Sequence, residues 1–197
     1  MIYFKKCILI LLSVILSSSI ALAGDDRFQT TSEEIVKELT RPPVKYRKYR
    51  SLGTAKKRAI KVVQRVENKI EETVVIIDEN IDIPKVRLKI EFDYNSSALR
   101  NSSYPLLKEV SRALKSDQLR DKDIMINGHT DSDGSEPYNL RLSLDRADSV
   151  KAFLVTVFDI PEERLLIRGY GEMLPLKPNI NSYNRQINRR VEFEINN

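Results

Sequence analysis

The chain is poor in residues that carry covalent chemistry. Its 197 residues include one cysteine, Cys7, and one histidine, His129. A lone cysteine excludes a disulfide framework. One histidine makes a poor metal site, because a bound metal needs several converging ligands. No Ser/His/Asp grouping can be placed, so nucleophilic catalysis has no visible machinery. These absences predict a protein that is not an enzyme and that uses no cofactor. There is no internal repeat and no low-complexity tract, and the length suits one domain plus a tail.

The first residues follow a secretory layout. Lys5 and Lys6 form a positive start, an apolar run extends from Cys7 to Leu16, and Ala21-Leu22-Ala23 supplies a small-residue cleavage site. A signal peptide over 1–23 and a mature start at Gly24 are expected, which leaves the mature chain without thiol chemistry. A retained anchor is the competing reading. It is disfavoured because 7–23 falls short of the roughly 20 residues of a spanning helix and is interrupted by serines at 17 to 19. Removing 1–23 leaves 31 basic against 28 acidic residues, a small surplus.

That surplus is local. Residues 41–61 hold nine of the basic side chains and no acid, with Tyr46 and Tyr49 interleaved. Little periodicity and few large apolar residues predict a solvated linker, so 24–84 is expected to be a basic N-terminal region. Within it, Thr31 and Glu34 are spaced as a capping box before Ile35, Val36 and Leu39. Pro42-Pro43 ends that short helix. A brief β-rich run lies at 73–77. The basic stretch is the expected contact for an acidic envelope protein or an anionic membrane surface. Secretion excludes nucleic acid as its partner.

From Lys85 onward the pattern becomes regular. Val86, Leu88, Ile90 and Phe92 alternate with Arg87, Lys89 and Glu91, which predicts a strand. Leu107, Val110 and Leu114 predict an amphipathic helix over 104–115, with Pro105 in its first turn. A second strand centres on 124–126 and a third on 164–168. Pro175 to Asn188 reads as a loop, and Val191, Phe193 and Ile195 alternate through a final strand. A long helix is expected from Tyr138 to about Phe158, with Ser143, Ala147, Val150, Leu154 and Val157 as its buried seam. The order is βαβαββ. It predicts an α+β two-layer sandwich for 85–197, a mixed sheet covered on one face by two helices, behind an extended N-terminal region.

The segment from His129 to Val150 carries the candidate chemistry. Asp131 lies in a turn after a strand, and Arg146 lies on the helix that follows. Asn139 and Leu142 precede Arg146 at spacings of seven and four, on its face of the helix. A carboxylate and a guanidinium facing one pocket can hold a zwitterion, a group with an ammonium and a carboxylate on one carbon. Asp131 and Asp133 lack the glutamate spacing of a calcium loop. His129 is expected to pack at a strand end. Arg189 and Arg190 are expected to flank the last strand and support the pocket indirectly, with Arg190 beside Glu192.

Several blocks then occur in a familiar order. They are Ile90-Glu91-Phe92-Asp93, Gly128-His129-Thr130-Asp131 with Gly134, Tyr138-Asn139, Leu142-Ser143, Arg146-Ala147 and Val150. Gly169-Tyr170-Gly171-Glu172 with Pro175, and Asn188-Arg189-Arg190-Val191-Glu192, complete the set. This pattern over 85–197 resembles OmpA-like peptidoglycan-binding domains, the family that includes the C-terminal domains of MotB and Pal. The resemblance implies a non-catalytic periplasmic module. It would bind the diaminopimelate of the peptidoglycan stem peptide and tether the wall to the outer membrane or to a periplasmic partner. It implies that Asp131 accepts hydrogen bonds from the ligand ammonium and that Arg146 clamps its carboxylate. Asn139 and Leu142 would line the same pocket, with Thr130 and Asp93 at its rim. The alternative is a wall anchor for a motor or secretion assembly. The motor form is disfavoured because 7–23 holds no Asp or Glu. The 24–84 region is too short for the eight-stranded barrel that accompanies some relatives.

Overall fold

A computed structural model describes residues 28–45, 57–66, 69–93 and 95–196. The expected signal segment 1–23, and residues 46–56 of the basic stretch, lie outside the described residues. The elements are α1 (Ser32–Thr40), β1 (Val44–Lys45), β2 (Lys57–Val66), β3 (Lys69–Asp78), β4 (Ile81–Asp82), β5 (Lys85–Leu88), α2 (Tyr104–Leu114), β6 (Ile124–Gly128), α3 (Glu136–Phe158), β7 (Leu165–Gly169), α4 (Ser182–Asn188) and β8 (Val191–Ile195). Among the described residues, no helix is long and apolar enough to cross a membrane.

The main sheet has the order β3-β2-β7-β6-β8-β5, and β1 pairs with β4 separately. The β6–β7 pair is parallel, and the other neighbours are antiparallel. From β5 onward the order is the expected βαβαββ with the short α4 added between β7 and β8, a mixed sheet with helices packed on it. One core joins the helices to the sheet: Leu107, Val110 and Leu114 of α2 and Leu144, Ala147 and Leu154 of α3 pack with Val86, Ile126, Leu165 and Phe193.

Four features differ from the sequence reading. Strands β2 and β3 pair antiparallel and extend the sheet past β7, where a basic N-terminal region with only a brief β-rich run at 73–77 was expected. Ile60 and Val62 of β2 are buried against Tyr170, and Val63 enters the main core on the other face. Lys57, Arg58, Lys61 and Arg65 interrupt that apolar pattern, so charge hides the strand. The first strand of the compact region ends at Leu88, and Phe92 makes only an isolated bridge to Leu99. The expected 175–188 loop contains α4, capped by the Asn181 side chain, which accepts from Asn184 N at 2.7 Å. Finally, Val157 is 52 % exposed, and the α3 seam is completed by Leu140 and Leu144. The seam reaches the last turn of α3 at Phe158, which packs against the core, and Val157 falls beside it.

The N-terminal helix forms as its caps predict. Glu34 N donates to Thr31 Oγ1 at 3.3 Å, and Thr31 N donates back to Glu34 Oε2 at 3.4 Å. Ile35 and Leu39 bury against the core, so α1 joins the helical layer.

Two glycines set the height of α3 over the sheet. A Cβ on Gly128 would lie 2.0 Å from Ser143 O, and one on Gly169 would lie 2.6 Å from Ser143 Oγ. The helix can approach this closely only because both side chains are absent. Ser143 Oγ donates to Leu140 O at 2.8 Å and accepts from Gly171 N at 2.9 Å. These bonds lock the first half of α3 onto the C-terminal ends of β6 and β7.

Candidate functional site

The pocket lies where β6 ends. The chain leaves the strand at Gly128, and sheet-like bonds continue one step further: His129 N donates to Arg190 O at 3.0 Å, and Thr130 N donates to Gly171 O at 2.9 Å. The chain then turns at Asp131. Asp133 N donates to Asp131 Oδ1 at 3.0 Å, the side-chain turn that aspartate makes with a backbone two residues on. Gly134, at φ +107°, completes the turn into α3.

A pocket of about 310 Å³ opens between this turn, the first turns of α3 and the loop after β5. Asp131, Arg146, Asn139, Leu142, Thr130 and Asp93 all line it. Phe92, Arg100, Tyr138 and Arg189 line it as well.

Arg146 is held as a rigid fork. It is 7 % exposed. Its Nε donates to Ser96 O at 3.1 Å, and its guanidinium carbon sits 5.1 Å from the centre of the Phe92 ring. These contacts leave both Nη groups without a hydrogen-bond partner among the described residues. Burial pulls the Arg146 guanidinium below its ordinary range; the Arg189 charge adds to this and Asp131 opposes it. Arginine still carries its charge at any ordinary pH.

Asp131 is 5 % exposed. Its Oδ2 accepts from Arg189 Nη1 in a short ion pair. Arg189 therefore touches the carboxylate directly, where indirect support was expected. Its position follows from the loop before β8. Asn188 is fully buried, and its side chain bonds to the backbone of Leu176 and Lys177 and to Asn179 Oδ1. That network delivers Arg189 to the pocket.

The remaining residues divide by task. The Asn139 amide donates to Asp131 O at 3.3 Å and to Glu172 Oε2 at 2.6 Å, so it positions the turn and is only 1 % exposed. Leu142 presents an apolar wall. Asp93 pairs with Arg100 at 3.1 Å on the rim. Thr130 Oγ1 is buried without a hydrogen-bond partner among the described residues.

His129 points to the opposite face of the sheet. It is buried, stacked on Tyr170 with 5.1 Å between ring centres, and 3.7 Å from Glu192. Burial, followed by the nearby Arg190 charge, holds its pKa well below the usual histidine value. Arg190 Nε donates to Glu192 Oε1 at 2.7 Å, a buried ion pair. Burial alone would raise the Glu192 carboxyl; Arg190 and then Lys85 and Arg87 outweigh it and hold it below the ordinary carboxylate range. Among the described residues, no group of three His, Cys, Asp or Glu side chains could hold a metal ion.

Residues 91–189 match the model of a family described as the OmpA family. The outer membrane porin F of Pseudomonas aeruginosa is 35 % identical over 114 residues, which is 58 % of this chain and 32 % of that protein. Outer membrane protein A of Bordetella avium is 39 % identical over 104 residues, 53 % of this chain and 52 % of that protein. The chain thus spans a third to a half of the length of these relatives. Among solved structures, the peptidoglycan-associated lipoprotein from Burkholderia pseudomallei aligns with a TM-score of 0.49 and 25 % identity, over 55 % of this chain and 88 % of that one.

Proposed function

Because the chain belongs to the OmpA family, we propose that it binds peptidoglycan without catalysis. Its pocket would hold the zwitterionic end of diaminopimelate in the stem peptide. One observation carries this reading: Asp131 and Arg146, one anion and one cation, line a single small pocket beside an apolar wall at Leu142. The two open Nη groups of Arg146 form a planar fork suited to a carboxylate. Asp131 accepts the ammonium. A carboxylate oxygen has two lone pairs, so the ligand either shares Asp131 with Arg189 or displaces it.

The magnitudes suit reversible attachment. Charge-assisted hydrogen bonds contribute about 1.5–3 kcal/mol each. Two or three of them sum to about 3–9 kcal/mol, the order of the roughly 4–8 kcal/mol of millimolar to micromolar dissociation constants, and the entropy of association draws a single site toward the weak end. A wall carrying many copies of the ligand adds avidity. In the cell the protein would sit in the periplasm and link the wall to the outer membrane or to an envelope partner.

Cosedimentation with isolated cell wall tests this. The full chain is expected to pellet with walls that contain diaminopimelate and much less with walls that carry lysine at that position, since lysine lacks the second carboxylate. Asp131→Ala and Arg146→Ala should each weaken binding at least tenfold. Unchanged binding by both variants would overturn the proposal.

A further inference from the structure

The two edges of the main sheet differ. The outer edge of β5 is covered: Gln29 N donates to Arg87 O at 3.0 Å, and Arg87 N donates to Gln29 Oε1 at 2.8 Å. The outer edge of β3 has no neighbour among the described residues. β3 is also the longer edge, paired with β2 through ten consecutive residues without a bulge. Half of its backbone N–H and C=O groups therefore face outward in a regular row.

Exposed edges of this kind are usually protected by a central charge, a proline or a bulge. The centre of β3, Thr73-Val74-Val75-Ile76-Ile77, has none of these. On one face, Val75 and Ile77 pack toward Ile60, Val62 and Tyr170. On the other, Val74 is 61 % and Ile76 59 % exposed, with Ile70 at 38 % on the same side. Helix α3 reaches β2 through Arg65–Asp148 and Lys61–Glu136, and leaves this strip uncovered.

We propose that β3 pairs antiparallel with β3 of a second copy, across a two-fold axis perpendicular to the sheet. Such an axis preserves the two faces, so residues of like parity stand opposite one another. The charges choose the register. An axis at Glu72 sets that acid against itself. An axis at Val75 sets Glu72 against Asp78 and Glu71 against Glu79. Axes at Thr73 and Ile76 bring no like charges together but give Lys69 no acid to meet. An axis at Val74 also avoids every like pair, sets Val74 against Val74 with Ile76 diagonal to it and opposite Glu72, and lets Thr73 face Val75. Lys69 at one end faces Glu79 of the other copy, twice. The outward backbone groups are satisfied along the whole strand, and the exposed aliphatic strip becomes the centre of the interface. The same axis places the two ligand pockets at opposite ends of the joined sheet.

Sedimentation equilibrium of the purified chain tests this, over concentrations from about 1 to about 100 µM, the range of a weak to moderate interface. The average mass should rise toward twice that of one chain. Val74→Lys should hold the mass at one chain with unchanged circular dichroism, because it places two ammonium groups on the axis. Lys69→Glu and Glu79→Lys should each weaken association, and the two together should restore it. A single-chain mass for the unmodified protein across the range would overturn the proposal. So would a dimer indifferent to Val74→Lys, or a charge-swapped double variant that stays as weak as the single ones.

Discussion

Arg146→Lys separates a charge from a shape. The substitution keeps one positive charge at the pocket wall, so the long-range attraction for a carboxylate survives. It removes three things that the geometry supplies: the Nε bond to Ser96 O, the flat face over Phe92, and the second Nη donor. If the fork makes two parallel bonds to the ligand carboxylate, lysine replaces them with one, a loss of about 1.5–3 kcal/mol. That corresponds to roughly 10- to 150-fold weaker binding. Folding loses as well. One charge-assisted hydrogen bond to a backbone oxygen and one cation–ring contact are together worth about 2–4 kcal/mol, of which the lysine ammonium and stem recover a part. A fall in melting temperature of a few degrees is therefore expected for a chain of this size. Calorimetric titration with a diaminopimelate-containing tripeptide, paired with thermal unfolding of the same samples, measures both. Affinity within twofold of the unmodified protein would show that Arg146 acts as a point charge and that the bidentate clamp is wrong.

Three further outcomes follow from the geometry. Gly128→Ala drives a Cβ into Ser143 O, a backbone atom that cannot move without α3; denaturant unfolding should show a loss of at least 1–3 kcal/mol, with weaker ligand binding because α3 carries half of the pocket. Stability should fall as the medium is acidified below about pH 6.5. The folded protein resists protonating buried His129, so below that pH the unfolded chain holds more protons, and the slope reaches at most about 1.4 kcal/mol per pH unit. His129→Phe should flatten this window in urea titrations at pH 7.5 and 5.0, and since His129 is the only histidine, an unchanged slope would refute the assignment. Thr31→Ala breaks the capping box of α1 and should destabilise by about 1 kcal/mol, read as a lower urea midpoint with no change in ligand affinity.

How far the structure was legible depended on how local each contact is. Strand β5 and helix α2 announce themselves because each buries one face, and burial of one face imposes a period of two or 3.6; β6 is buried at all five positions and announces itself as the short apolar run Ile124-Met125-Ile126. Strand β2 buries residues on both faces, Ile60 and Val62 on one and Val63 on the other, between four cations, so its pattern matches neither period. Its place in the sheet depends on pairing with β7, about a hundred residues away, and nothing in its own segment encodes that partner. The candidate site divides in the same way. Asp131, Asn139, Leu142 and Arg146 lie on one strand-turn-helix, where spacing alone orients them. Arg189 joins them only because His129 pairs with Arg190 across β6 and β8, and because Asn188 folds the preceding loop.

That non-local contact alters the electrostatics of the pocket. Asp131 is not an open anion waiting for an ammonium, since a guanidinium from the same chain already sits on one oxygen. Apart from the rim pairs Asp93–Arg100 and Asp133–Arg185, two cations and one buried carboxylate leave the ligand-free pocket with a surplus of positive charge. A simple amine gains Asp131 only by competing with Arg189 and meets two like charges as it does so. A simple carboxylate finds the Arg146 fork but leaves the Asp131–Arg189 pair unused. A zwitterion is the ligand whose two ends answer both conditions: its carboxylate takes up the surplus at Arg146 while its ammonium replaces or joins Arg189 on Asp131. If the pocket takes the proposed ligand, selectivity against simple amines rests on Arg189 as much as on the two residues that the local spacing brings forward.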